Sequence, residues 1–111
     1  MIVTIFTGNI GSVKQVAQVG DSKVLNFTVA ADKHFTAKNG EKVTETTWFE
    51  CALWNREKVF PFLTKGTQVT IQGDISARAY IDKEDAKKAI AVLTCTVDTV
   101  EFHGNAKNEE K

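Results

Sequence analysis

The 111-residue sequence lacks the features that mark membrane-spanning and secreted proteins. No apolar run approaches the roughly 20 residues that a membrane-spanning helix needs. Residues 1–11 show no basic segment followed by a long apolar stretch and a small-residue cleavage site, so no signal peptide is expected. A cytoplasmic location is therefore the default expectation, and no membrane partner is expected.

Metal-ligating residues are scarce. The chain has two cysteines, Cys51 and Cys95, and two histidines, His34 and His103. A structural zinc site needs four ligands, and at least two of them usually form a close pair such as Cys-x-x-Cys. No such spacing is present, so neither a metal nor another cofactor is expected. Each cysteine falls on the apolar phase of a predicted strand, which favours a small buried side chain over a disulfide.

The chain has no excess of charge of either sign, with 14 Lys and Arg against 14 Asp and Glu. Proteins that bind nucleic acid through charge alone usually carry a basic excess, so this balance counts against a general polyanion binder. A local basic strip is still compatible with it, because the field at a groove depends on the arrangement of charges rather than on their sum.

The segment 47–55, TWFECALWN, holds both tryptophans of the chain. Successive side chains of a strand point to opposite faces, so Phe49, Cys51 and Leu53 share an apolar face suited to a core. Trp48 and Trp54 lie on the other face. Two large rings on an outward face are typical of a platform on which flat ligands such as nucleobases stack. Burial of that face under a loop or a neighbouring subunit is the alternative.

The order of the predicted elements indicates the fold. Five strands are predicted, the first long and bent, with a short helix between the third and fourth strands. All other regular structure is β. This order matches the OB-fold, an all-β, five-stranded barrel with a helix between strands three and four, whose surface binds oligonucleotides or oligosaccharides. We expect one OB-fold domain over residues 1–103 and a short polar tail over residues 104–111.

Glycine and turn residues predict details of the first half. The first strand is predicted to cover residues 2–19 and to bend at Gly8 to Gly11, because glycine within a strand marks a bend or a close backbone approach. A phosphate-binding loop is the alternative for these glycines, although no G-x-G-x-x-G or G-K-[ST] motif follows. The polar stretch 36–46 contains Asn39-Gly40, a preferred hairpin dipeptide, and predicts a mobile loop or an extended hairpin arm.

The second half carries the helix and the last two strands. Asn55 is the expected N-cap of the helix, which Pro61 keeps short. Phe60 and Phe62 are expected in the core, and Gly66 is expected in the left-handed conformation. In the final strand, residues 89–102, the apolar phase shifts between 92 and 93 and again between 97 and 100, which predicts irregularities at both places.

The chain resembles the bacterial-type single-stranded DNA-binding proteins over residues 2–103, and the combination of several motifs makes the resemblance specific. The motifs are Gly8-Asn9-Ile10-Gly11, Asn26-Phe27-Thr28-Val29-Ala30, Thr47-Trp48-x-x-Cys51-x-x-Trp54-Asn55, Leu63-x-Lys65-Gly66-x-x-Val69 and Gly73-x-Ile75-x-x-Arg78-x-Tyr80.

The resemblance implies a set of contact residues and a function. The base-stacking aromatics of the family correspond to Phe35, Trp48, Trp54 and Tyr80, and its basic backbone contacts correspond to Lys38, Arg56, Lys65 and Arg78. The implied function is to bind single-stranded DNA with little sequence preference during replication, recombination or repair, close to the nucleoid. A homo-oligomer is also implied, usually a tetramer, with the exposed face of the first strand as the expected site of dimer pairing.

Three features depart from the family pattern. Glu50 lies between the two tryptophans, where relatives often carry a basic or neutral residue, and it would repel a nearby phosphate. Ala79 stands at a frequently basic position. The sequence ends at Lys111 without the acidic and apolar tip through which relatives recruit other proteins, so this recruitment is not expected.

Two other functional classes compete with DNA binding. An OB-fold module that acts through protein contacts in replication restart, as primosomal proteins do, is favoured by the neutral charge and by Glu50. A nuclease would need clustered carboxylates that hold a metal ion beside an arginine. Asp82, Glu84 and Asp85 alternate with lysines on a predicted hairpin tip, which is typical of a solvated loop, so no enzyme activity or catalytic residue is expected.

Overall fold

A computed structural model describes residues 2–81, 83–84 and 89–104 of the chain. These residues form six β-strands and one short 3-10 helix. In chain order the elements are β1 (Thr4–Val13), β2 (Ala17–Val19), β3 (Ser22–Thr36), β4 (Lys42–Trp54), the 3-10 helix (Phe60–Phe62), β5 (Gln68–Ile81) and β6 (Ala89–Gly104). The all-β class and the position of the helix, between the third and fourth long strands, are confirmed.

The five long strands close into a ring. Their order is β1-β5-β6-β4-β3, and β1 pairs with β3 to complete the circle. All pairings are antiparallel except that of β4 with β6, which is parallel. Ring closure gives each long strand a partner on both sides for part of its length, and it leaves an apolar interior and an outer surface open to solvent.

The bend of β1 makes this closure possible. Residues 4–9 pair with β5, residues 9–13 pair with β3, and the register shifts between Ile10 and Ser12. The predicted bend at Gly8 to Gly11 is therefore confirmed, but the predicted strand over residues 2–19 is not continuous. Three residues, 14–16, stand opposite only two residues of β3, so the ladder breaks before β2 resumes it at Ala17.

Strand alternation builds the core as predicted. Phe49, Cys51 and Leu53 of β4 are buried, and so are the alternating apolar residues of β3 and β5. Phe6 of β1 stacks on Phe49, with ring centroids 3.9 Å apart. Because one face of each strand is buried in this way, the other face must form the outer surface of the ring.

The connection between β4 and β5 differs from its prediction. Asn55 does not cap the helix; the residue at the N-cap position is Val59, and it makes no side-chain cap hydrogen bond. Phe60 is buried in the core, but Phe62 is 64% exposed, because a single 3-10 turn points successive side chains in different directions. Gly66 adopts the expected left-handed conformation, with φ of 89°.

Two hairpin arms extend beyond the ring. The β3–β4 pairing continues outward to Thr36 and Lys42, and the β5–β6 pairing continues outward to Ile81 and Ala89. The Asn39-Gly40 dipeptide forms the turn of the first arm, so the extended-arm alternative is confirmed. Two-stranded ribbons bury little apolar surface and are marginally stable alone.

One of the two irregularities predicted in β6 is present. The register shifts where Gly73 pairs with Val97 and Gln72 pairs with Thr99, so Asp98 is an extra residue there. The register is continuous between residues 89 and 97, and the irregularity predicted between residues 92 and 93 is wrong. Leu93 packs against the core in the same phase as Cys95 and Val97, and Val92 is an apolar residue on the other face of a regular strand.

Both cysteines are structural. Cys51 and Cys95 are buried, are not disulfide-bonded, and pair with each other across the parallel strands β4 and β6. Burial raises the pKa of the Cys51 thiol above its ordinary value, and the neighbouring Cys95 raises it further. Burial also raises the pKa of the Cys95 thiol, and Asp98 and Asp74 raise it further, so both thiols are protonated at neutral pH.

Candidate nucleic-acid interface

The outer face of β4 presents two aromatic rings to solvent. The exposed fraction is 57% for Trp48 and 39% for Trp54, whereas the intervening Phe49, Cys51 and Leu53 are at most 7% exposed. A strand rises about 3.3 Å per residue, so the two tryptophans lie about 20 Å apart along β4. The outward orientation predicted from alternation is confirmed, and the alternative of burial within this chain is not.

The Trp48 indole packs against the backbone of Gly11. A Cβ atom at Gly11 would lie 2.6 Å from Cζ3 of the indole and 3.2 Å from Oγ1 of Thr28. The ring can lie this close to β1 only because residue 11 has no side chain. Gly11 therefore positions the ring, a role compatible with the expected close backbone approach.

Asn55 fixes the end of β4 beside Trp54. This residue has a φ of 60°, in the left-handed region that asparagine tolerates better than most residues. Its side-chain Oδ1 accepts a hydrogen bond from the backbone N–H of Lys23 at 2.9 Å, and its own N–H donates to the Lys23 carbonyl at 2.7 Å. These bonds join β4 to the start of β3 and restrict the backbone that carries Trp54.

A groove of about 380 Å³ lies on the outer surface between the two tryptophan positions. Its central row follows the strand register across five strands. The row consists of Ser12 of β1, Thr28 of β3, Glu50 of β4 and Thr94 of β6, which line the groove, and it continues to Ser76 of β5, which pairs with Thr94 beside the groove. The hydroxyl side chains are short and do not fill the groove, so an extended ligand can enter it.

Charged side chains of both signs line the groove. Lys14 and Arg78 supply positive charge and Glu50 supplies negative charge. Arg78 Nη2 lies 3.8 Å from Glu50 Oε2, and both side chains are about half exposed. An exposed pair at this distance is weak, so Arg78 stays available to a phosphate. A second exposed ion pair, Lys23 with Glu57 at 2.7 Å, lies near the end of β4.

The four predicted stacking aromatics do not share one face. Phe35 is exposed and pairs with Val43 in the β3–β4 arm. The register of this arm has no irregularity, so Phe35 points to the side of the ribbon opposite Trp48. Tyr80 lies near the end of β5, but its side chain is outside the described part of the chain. A role for either residue in stacking stays a prediction.

The predicted basic residues are spread over the surface rather than gathered in the groove. Lys38 lies in the turn of the β3–β4 arm, Arg56 follows Asn55, and Lys65 lies in the turn before Gly66; all three are exposed. The Gly66 N–H donates to the Ile10 carbonyl at 2.8 Å, which places the Lys65 turn next to the bend of β1. Of the four, only Arg78 lines the groove.

Several groove residues were not predicted from the sequence. Lys14, Asn26, Thr28, Thr94 and Thr96 line the groove together with Glu50. Asn26 and Thr28 alternate with the buried residues of β3, so their outward orientation was visible in the sequence. Their proximity to residues of β6 was not, because it depends on pairing across several strands.

Neither a metal-binding cluster nor a membrane-spanning helix is found in the described part of the chain. No group of three or more His, Cys, Asp or Glu side chains within residues 2–81, 83–84 and 89–104 is arranged to hold a metal ion. Asp82 and Asp85, considered above as carboxylates of a nuclease site, lie outside these residues. No helix in the described part of the chain is long and apolar enough to cross a membrane.

Comparison with known proteins identifies the family. A family model described as the single-strand binding protein family matches residues 1–103. The chain belongs to the single-strand binding protein family.

Individual members of this family are moderately similar to the chain. A single-stranded DNA-binding protein of Chlamydia caviae is 35% identical over 69 residues, which are 60% of this chain and 42% of that protein. Single-stranded DNA-binding protein 2 of Listeria monocytogenes is 32% identical over 81 residues, 71% of this chain and 48% of that protein. The matched region thus spans less than half the length of these curated relatives.

Solved structures of family members share the fold. The small single-stranded DNA-binding protein of Streptomyces coelicolor superimposes with a TM-score of 0.76 at 12% identity, over 91% of this chain and 93% of that one. The Plasmodium falciparum protein, solved in complex with single-stranded DNA, gives a TM-score of 0.73 at 18% identity, over 92% and 94%. These matches confirm the predicted OB-fold.

Proposed function

We propose that this chain binds single-stranded DNA on the outer surface of its strand ring, with bases stacked on Trp48 and Trp54. The observation that carries the proposal is the exposure of both indoles on the outward face of β4, on either side of an open polar groove. Membership of the single-strand binding protein family and the fold shared with a DNA-bound relative support it.

The chemistry of the site explains why an unpaired strand is the ligand. Bases stacked inside a duplex cannot offer their faces to an indole, whereas bases of a single strand can. Removing one stacking ring from OB-fold single-strand binders costs about 1–3 kcal/mol per base. Every base has a flat face, so stacking itself distinguishes poorly between sequences. Phe35 and Tyr80 are proposed as further stacking contacts on the two hairpin arms, with Phe35 on the side of its arm opposite Trp48.

Phosphate contacts make a smaller contribution in this chain than in strongly basic binders. The proposed contacts are Lys38, Arg56, Lys65 and Arg78, and the groove adds Lys14. The Arg78 guanidinium also faces the Glu50 carboxylate, which offsets part of its charge, and the net charge of the whole chain is zero. We assign the function to DNA replication, recombination or repair in the cytoplasm, without an enzymatic step.

Binding to a labelled oligothymidylate, followed by fluorescence anisotropy, tests this function. We expect clear binding to the single strand and at least about tenfold weaker binding to a duplex of the same length, because duplex bases cannot stack on the indoles. About four phosphate contacts, one of them shared with Glu50, predict a slope of log K against log salt of about −2 to −3. Equal affinity for duplex, or no binding at low salt, would reject the proposal and favour a protein-interaction module.

Self-association is part of the same proposal. Residues 4–8 of β1 pair only with β5 among the described residues, which leaves their other edge open. The adjacent Ile2, Val3 and Ile5 are each more than half exposed. An open strand edge beside apolar side chains favours pairing with a second copy, giving a dimer or a tetramer.

Light scattering with and without oligothymidylate measures this assembly. We expect a mass that is a multiple of 12.3 kDa, and we expect Ile5→Lys to reduce it by placing a charge beside the open edge. Phe62→Lys, which changes an exposed apolar residue on the 3-10 helix, serves as the control and should leave the mass unchanged. A single-chain mass under both conditions would contradict the assembly.

A further inference from the structure

Glu50 is the only charged residue in the central row of the groove. Its neighbours in the row are hydroxyl-bearing residues, namely Ser12, Thr28, Thr94 and Ser76. Along β4 it follows Trp48 by two residues and precedes Trp54 by four, on the same outward face. A base that lies on the path between the two indoles is therefore close to the Glu50 carboxylate.

Much of the hydrogen-bonding capacity beside Glu50 is already used within the protein. The hydroxyls of Ser12 and Thr28 bond to each other at 2.8 Å, and the Thr94 hydroxyl donates to the Ser76 carbonyl at 3.2 Å. Glu50 itself contacts Arg78 only at 3.8 Å, beyond hydrogen-bond length. Its carboxylate is therefore a strong acceptor that can still receive a donor from a ligand.

The bases differ in what they offer to such an acceptor. Cytosine and adenine carry an exocyclic amino group, which donates hydrogen bonds, where thymine has its O4 carbonyl, and guanine carries one at C2. The one base-edge donor of thymine, N3–H, lies between two carbonyl oxygens, which a carboxylate repels. An ionised carboxylate only accepts, so it attracts the amino group and repels the carbonyl. Arg78, which only donates, lies beside it and can serve the neighbouring acceptor on the same base edge.

We propose that Glu50 makes the groove prefer bases with an exocyclic amino group over thymine. This inference rests on the proposed function and adds a base preference to it. General single-strand binders take their modest preferences from stacking strength and backbone flexibility rather than from hydrogen bonds to base edges. A carboxylate between the stacking rings adds such a hydrogen bond.

The test compares oligonucleotides of equal length made of thymine or of 5-methylcytosine. These two bases share the ring and the methyl group but differ in the exocyclic carbonyl or amino group and in the protonation of N3. For wild type and for Glu50→Gln, the ratio of the two dissociation constants is measured by anisotropy. Glutamine can both donate and accept, so it does not distinguish a carbonyl from an amino group.

We expect the preference for 5-methylcytosine to fall about 3- to 10-fold from wild type to Glu50→Gln, as for the loss of one exposed base-edge hydrogen bond. Comparing ratios removes any difference in how the two free oligonucleotides stack on themselves. Glu101→Gln is the matched control, because Glu101 pairs with Thr70 on β5, outside the groove, and its substitution removes the same charge.

Each outcome of this comparison is decisive. An unchanged ratio in Glu50→Gln, with both oligonucleotides bound, overturns the inference and leaves the proposed function intact. An equal change in Glu101→Gln would show a general charge effect and also overturns it. If wild type binds neither oligonucleotide, the proposed function fails, and the base preference fails with it.

Discussion

Replacing Trp54 with alanine is expected to weaken binding of a single-stranded oligonucleotide about 5- to 150-fold, which corresponds to the 1–3 kcal/mol of one stacked base. The same range applies to Trp48→Ala. Both rings are substantially exposed, so their removal takes little from the core, and we expect the melting temperature to fall by no more than a few degrees. Anisotropy titration and thermal denaturation measure the two effects.

Phe62→Ala is the control for these two variants. Phe62 is also a solvent-exposed aromatic ring, but it lies on the 3-10 helix, and its ring contacts Phe102 with centroids 6.2 Å apart. We expect its loss to leave the affinity within about twofold of wild type, because no base is proposed to reach it. A gross loss of stability in Trp54→Ala, or an affinity loss in Phe62→Ala equal to that of the tryptophan variants, would contradict the assignment.

Two glycines of β1 are expected to respond differently to the same substitution, Gly8→Ala mainly in stability and Gly11→Ala mainly in DNA binding. In Gly8→Ala the new Cβ would lie 2.3 Å from the carbonyl oxygen of Ala30, which is backbone. The chain crosses β3 at this point, so relief requires movement of a strand. We expect a loss of about 3 kcal/mol or more in the free energy of unfolding, and a fall of more than about 10 °C in melting temperature.

In Gly11→Ala the closest atom is instead the outer edge of the Trp48 indole, at 2.6 Å. This ring is more than half exposed and can move away, so we expect a loss of stability below about 1 kcal/mol. The displaced ring should weaken single-strand binding about 3- to 10-fold. Thermal denaturation and anisotropy of both variants measure the contrast. Equal destabilisation by the two substitutions, or full affinity in Gly11→Ala, would show that Gly11 does not position Trp48.

The alternation of β4 made the candidate interface predictable from the sequence. A strand has a period of two, and one face of β4 must fill the core, so Phe49, Cys51 and Leu53 determine where Trp48 and Trp54 point. The bend of β1 was predictable for a similar reason, because glycine permits backbone approaches that other residues exclude. Local chemistry and one buried face were sufficient in both cases.

The groove could not be located from the sequence, because its position depends on the register of five strands. Thr28, Glu50 and Thr94 are neighbours only through pairings between residues far apart in the chain. Asn55 shows the same limit, because its partner Lys23 lies on another strand, and its local context suggested a helix cap instead. The phase shift near Val92 suggested an irregularity because Val92 is an apolar residue on the outer face, whereas Leu93 packs against the core in phase with Cys95 and Val97.

The neutral charge of the chain and the ion pair in its groove together make stacking the main source of the proposed affinity. Arg78 and Glu50 partly neutralise each other, so fewer counterions are released when DNA binds than for a basic protein. Salt should therefore reduce the affinity less steeply than it does for a binder that relies on lysine and arginine alone.

The most direct test of the stacking account uses two variants that each keep one tryptophan, Trp48→Phe and Trp54→Phe. Each is titrated with oligothymidylate while its remaining indole fluorescence and the anisotropy of a labelled strand are recorded. The account predicts that both indoles are quenched as the strand binds, because each stacks on a base. Binding by anisotropy with unchanged emission from both indoles would place the DNA elsewhere and contradict it.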